Sequence, residues 1–210
     1  MTDQLKSEKF WDNAADTYDQ EERKDEQTYI KIIEKTKKYL KASDVLLDFG
    51  CGTGLISNEI ADHVKVIRAI DISSKMIEIA KQKADGRNIE NIDYAQATIF
   101  DERYLSGSFD VILAFYILHL VEDTHQVIQR IHELLKPGGL MISATPCMGE
   151  RKTFLNIPLL LATKIGLVPN IRSFKISELE GSIAAGNFEI DETERLKKSS
   201  PEYFIVARKS

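Results

Sequence analysis

The residues best suited to chemistry gather around one acid and three glycines. In Val45-Leu46-Leu47-Asp48-Phe49-Gly50-Cys51-Gly52-Thr53-Gly54 a short apolar run ends in Asp48, and Gly50, Gly52 and Gly54 follow at alternate positions. Glycine has no Cβ, so such a turn can take unusual dihedrals and let a ligand lie against bare backbone. Leu55, Ile56, Ile60 and Ala61 recur behind it at helical spacing. The stretch reads as a buried parallel strand, a tight turn and a helix, whose free N–H groups and positive end favour a negative ligand group. A second acid, Asp71, closes the next apolar run, Val64 to Ile70. An acid at the carboxyl end of that strand can accept hydrogen bonds from both hydroxyls of a ribose, which supports an adenosine ligand. Ile72 follows it and could pack on an adenine face.

The glycine spacing narrows the ligand. A dinucleotide fingerprint places its third glycine three residues after the second. Here it comes two residues after, and Leu55 stands where that fingerprint wants glycine. No P-loop lysine follows Thr53-Gly54 either, so the loop is poorly suited to a pyrophosphate. Cys51 reads as a small residue fitting a tight turn rather than as a redox centre.

These residues need a frame of alternating strands and helices. The polar N-terminus carries Phe10-Trp11-Asp12-Asn13-Ala14-Ala15-Asp16-Thr17-Tyr18-Asp19, whose aromatic rings should dock on the domain rather than stay exposed. Lys24 to Lys41 is an amphipathic helix with Tyr29, Ile33 and Leu40 inward, and lysines 31, 35, 37, 38 and 41 on a solvated face. Ser73 or Ser74 caps a helix carrying Met76, Ile77 and Ala80. Ile92 to Ala95 and Phe109 to Ala114 read as the third and fourth strands. Thr124 caps a helix that Lys136-Pro137-Gly138-Gly139 stops, and Leu140 to Ala144 is the fifth strand. Ser177-Glu178-Leu179-Glu180 is a capping box for a last helix. Phe188 to Leu196 and Tyr203 to Ala207, joined around Ser199-Ser200-Pro201, form a closing hairpin.

Composition bounds the rest. The chain has 210 residues, 43% of them hydrophobic, which suits one α/β domain with a small elaboration. Its organisation reads as an N-terminal helical cap (1–41), a ligand-binding core (42–144), a variable substrate-side insert (145–187) and the hairpin (188–210). A net charge of −5 gives no electrostatic case for nucleic acid. Cys51 and Cys147 form no C-x-x-C pair, and His63, His119, His125 and His132 fall on different elements apart from the last two, so no metal site is expected. No secretory signal and no apolar run long enough to span a bilayer appear, which makes a soluble cytoplasmic protein the expectation. From Arg151 to Lys175 the insert holds Arg151, Lys152, Lys164, Arg172 and Lys175 and no acid. It reads either as an acceptor lid that attracts an anionic or apolar small molecule, or as a plain amphipathic helix covering the sheet edge.

The sequence resembles the class I S-adenosylmethionine-dependent methyltransferases, specifically the small-molecule type typified by ubiquinone and menaquinone biosynthesis. Asp48 with the glycine loop resembles their motif I, "FDVILAFYILHLVED" their fourth-strand motif, "LLKPGG" their following turn, "GNFEI … PEYFIVARKS" their terminal strands, and Phe10 to Asp19 their N-terminal motif. The resemblance implies a Rossmann-like, doubly wound seven-stranded sheet of order 3-2-1-4-5-7-6, last strand antiparallel, with helices on both faces. It implies S-adenosyl-L-methionine as cofactor and S-adenosyl-L-homocysteine as product. Asp48, Gly50, Cys51, Gly52 and Gly54 would then form the cofactor loop, Asp71 the ribose site, Ile72 and Met76 the adenine pocket, and Tyr18 a cover near the methionine end.

Where the family often has an acid holding the adenine amino group, this chain has Ala97. Backbone groups at Ala97 and Thr98, or the side chains of Gln96 or Thr98, could do that work, with Asp101 as a distant substitute. The first and fourth strands flank the point where the winding reverses, so Ala114 and Phe115 are placed to touch the methionyl part, while Tyr116 and His119 could face the acceptor. His119 is the first choice for a general base and Tyr116 the second. Tyr18, Phe115 and Tyr116 could also stabilise the sulfonium through cation–π contact. The fourth strand lacks the Asn/Asp-Pro-Pro-Tyr/Phe ending used on base amino groups, and Pro146-Cys147 follows the fifth strand, not the fourth, so a nucleic-acid substrate is disfavoured. Two other readings remain: a non-catalytic adenosyl-binding protein of the same fold, and a nicotinamide oxidoreductase, which the glycine spacing disfavours. The acceptor and the oligomeric state are not legible.

Overall fold

The computed structural model describes residues 3–150, 171–197 and 201–210. Seven runs become strands of one sheet: β1 (Val45–Phe49), β2 (Val66–Asp71), β3 (Ile92–Gln96), β4 (Phe109–Phe115), β5 (Leu135–Pro146), β6 (Phe188–Arg195) and β7 (Glu202–Lys209). Their order is β3-β2-β1-β4-β5-β7-β6, with β7 antiparallel to both its neighbours and the strands from β3 to β5 parallel. The winding reverses between β1 and β4, as the resemblance implied. The central strands are continuous apolar runs because both their faces are covered. Leu46, Val111, Leu113 and Ile142 enter one core layer, while Leu47, Ile112 and Met141 enter the other. β6 instead, after the buried Phe188, alternates exposed and half-buried positions, and its charges guard the sheet edge.

Among the described residues the helices are α1 (Asp3–Glu22), α2 (Glu26–Lys37), α3 (Ser57–Ile60), α4 (Ser74–Asp85), α5 (Thr124–Leu134) and α6 (Ile176–Ala185). Residues of α2, α3 and α4 share a core with one face of the sheet, and those of α5 and α6 with the other. The N-terminal aromatic segment lies within the 20-residue α1. Phe10, Trp11 and Tyr18 pack in edge-to-face pairs, with centroids 5.1 and 6.3 Å apart.

Several local expectations are corrected. The helix after the glycine loop shrinks to the four residues of α3 and a 3-10 turn, Ala61–His63, because Ser57 and Asn58 turn their side chains inward to Asp48 and Tyr94. β2 begins at Val66, not Val64. Asp123, not Thr124, caps α5 by accepting from Gln126 N–H, and the buried Thr124 hydroxyl donates to the Leu118 carbonyl instead. The last capping box sits earlier than Ser177: Glu178 accepts from Lys175 N–H at 3.0 Å. The lysines of α2 are not all solvated. Lys35 is buried under 10% exposure, lies 5.1 Å over the Phe204 ring and is paired with Glu192 and Glu194. Lys31 joins Glu194 at 2.6 Å, so three ion pairs from two lysines fasten α2 to the β6 edge. Ser73, in contrast, caps α4 as expected through Met76 N–H. Most of the basic insert (151–170) and Ser199-Ser200 of the hairpin turn lie outside the described residues.

Candidate functional site

β1 ends against β2, so the loop that follows is anchored there: Gly50 and Cys51 both donate N–H to the Ile70 carbonyl, at 2.8 and 3.0 Å. Gly50, Gly52 and Gly54 all have positive φ, at +76°, +52° and +74°. The alternation of glycines thus has a backbone cause, since residues with a Cβ rarely adopt this region. The three differ in what lies opposite. A Cβ on Gly50 would come within 3.0 Å of Ile117, and one on Gly54 within 2.3 Å of the Tyr94 hydroxyl. A Cβ on Gly52 would point toward the Tyr18 ring at 3.4 Å. Only Gly52 therefore faces the helical cap, and the other two serve close packing. With α3 so short, the expected helix-end attraction for an anion is not built here.

Two carboxylates frame the loop. Asp71 bridges it to the next turn: Oδ2 accepts from Gly52 N–H at 3.0 Å and Oδ1 from Ser73 N–H at 2.9 Å. Each oxygen keeps a lone pair for a ligand hydroxyl, and burial holds the carboxyl above its ordinary pKa. Asp48 lies behind the loop, fully enclosed, and accepts from the Ser57 hydroxyl at 2.5 Å. Burial pushes its carboxyl up to about 6, against the Ser57 hydrogen bond and with some help from Asp71. The folded protein therefore keeps this proton to about pH 6, while the unfolded chain releases it near the ordinary value. Stability from this group is lost as pH rises through that window and stays lost above it. Asp48→Asn keeps the Ser57 bond without the charge. It is expected to stabilise the unliganded protein at pH 8, by up to about 3 kcal/mol, and to leave it unchanged at pH 4; thermal melts at the two pH values check this.

Helix α1 crosses the carboxyl ends of the strands and is tied to the loop along its length. Glu8 accepts from Gln96, Asp12 from the Ser73 hydroxyl at 2.6 Å, and Asp19 from Thr53 at 2.5 Å and Lys83 at 2.7 Å. A cleft remains between this cap and the sheet, lined by Tyr18, Tyr29, Asp48, Gly50, Cys51 and Phe115, with Leu55, Ile56 and Tyr116 completing it. Tyr29 and Tyr116 stack at 5.8 Å with ring planes 21° apart. Tyr116 has φ +53°, an uncommon value for a bulky residue, and its N–H donates to the Ala144 carbonyl at 2.8 Å. The turn after β4 is thus held so that its ring meets α2.

The structure gathers Tyr18, Asp48, Gly50, Cys51, Phe115 and Tyr116 at this cleft, with Gly52 facing Tyr18 above the same loop. Ala114 is fully buried in the sheet, and Met76 at 1% exposure is a core residue. Ile72 is half-buried, with its carbonyl accepting from Gln96 Nε2 at 2.9 Å. The Ala97 N–H is already given to the Asp71 carbonyl at 3.0 Å, and the Thr98 hydroxyl accepts from Phe100 N–H. Asp101 is held by both arms of Arg103, which keeps its carboxyl near 2 and away from an adenine ring. His119 does not line the cleft. It is largely enclosed, burial lowers its pKa to about 4, and its Nδ1 finds no partner among the described residues. Its backbone carbonyl accepts from Arg172 N–H at 2.7 Å. Among the described residues no three His, Cys, Asp or Glu side chains gather as a metal site, and no helix is long and apolar enough to cross a membrane. His132 is half-buried and packs edge-on against Phe188.

Sequence reasoning missed Tyr29, Leu55 and Ile56 as cleft residues. The three looked like ordinary core positions of amphipathic helices; only the phenol tip of Tyr29, which a buried site would have to satisfy, set it apart.

Comparison with known proteins gives three findings. The family model described as a methyltransferase domain matches residues 40–179. A ubiquinone biosynthesis O-methyltransferase of Coxiella burnetii is 34% identical over 116 residues, covering 55% of this chain and 48% of that protein. The chain spans about half the length of the curated relatives it matches. A SAM-dependent methyltransferase of Thermotoga maritima has the same fold, with a TM-score of 0.72, 17% identity, and coverage of 96% of this chain and 99% of that one. Another from Methanosarcina mazei has a TM-score of 0.68 and 22% identity, over 82% of this chain and 95% of that one.

Proposed function

The chain belongs to the methyltransferase domain family, and from that premise we propose that it transfers a methyl group from S-adenosylmethionine to a small-molecule acceptor, leaving S-adenosylhomocysteine. The observation that carries the reading is Asp71. Its carboxylate is fixed by Gly52 N–H and Ser73 N–H at the mouth of the glycine loop, with lone pairs left for the two hydroxyls of a ribose. The residues present fit the cofactor: Gly52 offers bare backbone and two carboxylates flank the loop.

When bound, S-adenosylmethionine supplies an activated methyl group for direct displacement on carbon. The chain's own part is to bind, align and exclude water. Asp71 holds the ribose, Gly50, Cys51 and Gly52 receive the ligand against the loop, and Ile72 with the Ala97–Thr98 turn flanks the adenine. Tyr18 covers the site from α1, and Phe115 and Tyr116 close it from β4. The acceptor approaches from the Tyr116 side. Relatives named as O-methyltransferases make hydroxylated aromatics the first acceptor class to test. Burial keeps the Tyr116 phenol protonated well above pH 7, so it serves as a hydrogen-bond donor. His119 is neutral at pH 7 and its Nδ1 has no hydrogen-bond partner among the described residues, but it does not line the cleft and a pKa of about 4 makes it a weak base, so its role as the base is what a substitution must test. His119→Ala is expected to lower turnover more than cofactor affinity; equal losses would make it a structural residue.

Calorimetric titration with S-adenosylmethionine, S-adenosylhomocysteine and NAD tests the core of the reading. Binding of the two adenosyl ligands without NAD is the expected result, and binding of NAD alone would overturn it. Turnover of a hydroxylated aromatic would then separate an enzyme from a non-catalytic binder.

A further inference from the structure

The face of β5 that packs under α5 and α6 carries two hydroxyls that the fold does not use. Met141 and Cys147 belong to the core layer on that side, so the alternation of the strand turns Ser143 and Thr145 to it as well. Both are fully buried, and neither Ser143 Oγ nor Thr145 Oγ1 has a hydrogen-bond partner among the described residues. Their neighbours in the sheet offer little. Ser143 stands between Ala114 of β4 and Ile205 of β7, and Thr145 stands beside Tyr203, whose hydroxyl is already given to Glu180 at 2.6 Å. A buried hydroxyl without a partner lowers stability, and alanine or valine would fill these places without that cost.

Thr145 lies at the reacting end of the sheet. The carbonyl of Ala144, the residue before it, accepts from Tyr116 N–H, so Thr145 is level with the turn that leads from Tyr116 to His119. A strap, residues 171–175, crosses this end. Arg172 N–H donates to the His119 carbonyl at 2.7 Å, and Gly149 N–H donates to the Phe174 carbonyl at 2.8 Å. Arg172, Ser173 and Lys175 are exposed, whereas Phe174 turns inward and is fully buried in the layer of Ala114, Leu118, Cys147 and Tyr203. The strap therefore puts a phenyl ring into the layer that Ser143 and Thr145 face. That ring excludes water and has no hydrogen bond to give them. The layer is also without positive charge: the Arg172 guanidinium lies 4.7 Å from the Phe174 ring on an exposed residue, and the one buried cation among the described residues, Lys35, packs on Phe204 at the other face of the sheet.

We propose that Thr145 and Ser143 are the residues that select the acceptor: its ring enters beneath the strap where Phe174 now stands, and a hydroxyl of the acceptor bonds to theirs. This rests on the methyl-transfer reading of the site. It makes the acceptor an uncharged hydroxylated ring rather than an anion. A serine or threonine hydroxyl can both donate to and accept from such a group, whereas a carboxylate entering this layer would lose its water and meet no cation.

Three probes test this: phenol, toluene, which lacks the hydroxyl, and benzoate, which carries a charge. Each is titrated by calorimetry into the full chain saturated with S-adenosylhomocysteine, for the unaltered protein, Thr145→Val, Ser143→Ala and Phe174→Ala. Phenol is expected to bind the unaltered protein about tenfold or more tighter than toluene or benzoate. Thr145→Val and Ser143→Ala should each weaken phenol by about fivefold or more and leave toluene within about twofold. Both should leave S-adenosylhomocysteine affinity unchanged and raise the thermal midpoint by about 2–4 °C, because a buried hydroxyl without a partner is removed. Phe174→Ala vacates the place and should tighten phenol by about threefold or more. A lowered midpoint for the hydroxyl variants, or equal losses for phenol and toluene, would make the two hydroxyls structural. Phenol that fails to bind, or that is indifferent to all three substitutions, would put the acceptor elsewhere, and a preference for benzoate would give the layer to an anion. Each of these overturns the proposal while binding of S-adenosylhomocysteine leaves the adenosyl reading standing. Failure of the unaltered protein to bind S-adenosylhomocysteine would overturn both.

Discussion

Replacing Asp71 by alanine is expected to weaken S-adenosylmethionine binding by about 100-fold or more. Hydrogen bonds to a charged group contribute about 1.5–3 kcal/mol each, so the loss of two ribose contacts amounts to at least ~3 kcal/mol, and every 1.4 kcal/mol is a factor of ten. The effect does not stop at the ligand. Asp71 also accepts from Gly52 N–H and Ser73 N–H, and alanine leaves both amides without that partner. The loop then loses its pre-set shape, and the cap of α4 at Ser73 loosens with it. Asp71→Asn is the informative companion. Its carbonyl oxygen still accepts one backbone bond, but its amide turns a donor toward the other, so the loop is half-supported and the ribose contact loses its charge. Titration calorimetry should order the affinities as Asp, then Asn, then Ala. An unchanged affinity for Asp71→Ala would remove the ribose from this carboxylate.

What the sequence made legible at this site follows from how narrowly each residue type is constrained. Gly50, Gly52 and Gly54 could be read because positive φ at alternate positions admits little else, and all three have it. Asp71 could be read because an acid closing a buried strand must either be paired or face a ligand. Ser73 was legible as a cap for the same kind of local reason. The sheet order came from resemblance, and the pairing bears it out strand by strand.

The rest depends on tertiary neighbours that spacing does not encode. Lys35 looked like one of five equivalent surface lysines, yet Glu192 and Glu194, more than 150 positions away, draw it into a buried pair over Phe204. Tyr29 looked like one more residue of an apolar stripe, because nothing in α2 says that Glu22 and Tyr116 will meet it. The helix after the glycine loop was overestimated, since Ser57 and Asn58 satisfy partners on β1 and β3 rather than prolonging a regular helix. Ala97 illustrates the opposite limit. The missing acid was visible, but only the structure shows that the neighbouring groups offered in its place are mostly engaged: Gln96 with Glu8 and Ile72, Asp101 with Arg103, and the Ala97 N–H with Asp71.

The largest loss of stability is expected from Gly54→Ala. The glycine sits at φ +74°, and a Cβ there would lie 2.3 Å from the Tyr94 hydroxyl, 3.0 Å from its ring carbon and 3.2 Å from Ala80. Left-handed backbone costs a residue with a Cβ about 1–2 kcal/mol, and overpacking adds about 1–3 kcal/mol. The Tyr94 hydroxyl cannot simply retreat, because it is buried and bonded to Asn58 Oδ1 at 3.0 Å, and Asn58 sits in α3 directly behind the loop. A total near 3–4 kcal/mol should lower the thermal midpoint by roughly 10 °C in a chain of this size. The cofactor loop would shift with it, because Gly54 N–H closes the turn on the Cys51 carbonyl. Tyr94→Phe alone removes the Asn58 bond and should cost less, about 1–2 kcal/mol. In the double variant the clash at 2.3 Å is gone while the dihedral strain remains. Its stability should therefore exceed that expected from adding the two single losses, by about 1 kcal/mol or more. Strict additivity in the double-mutant cycle would mean that the tyrosine is not what confines this position, and that glycine is required there for its backbone alone.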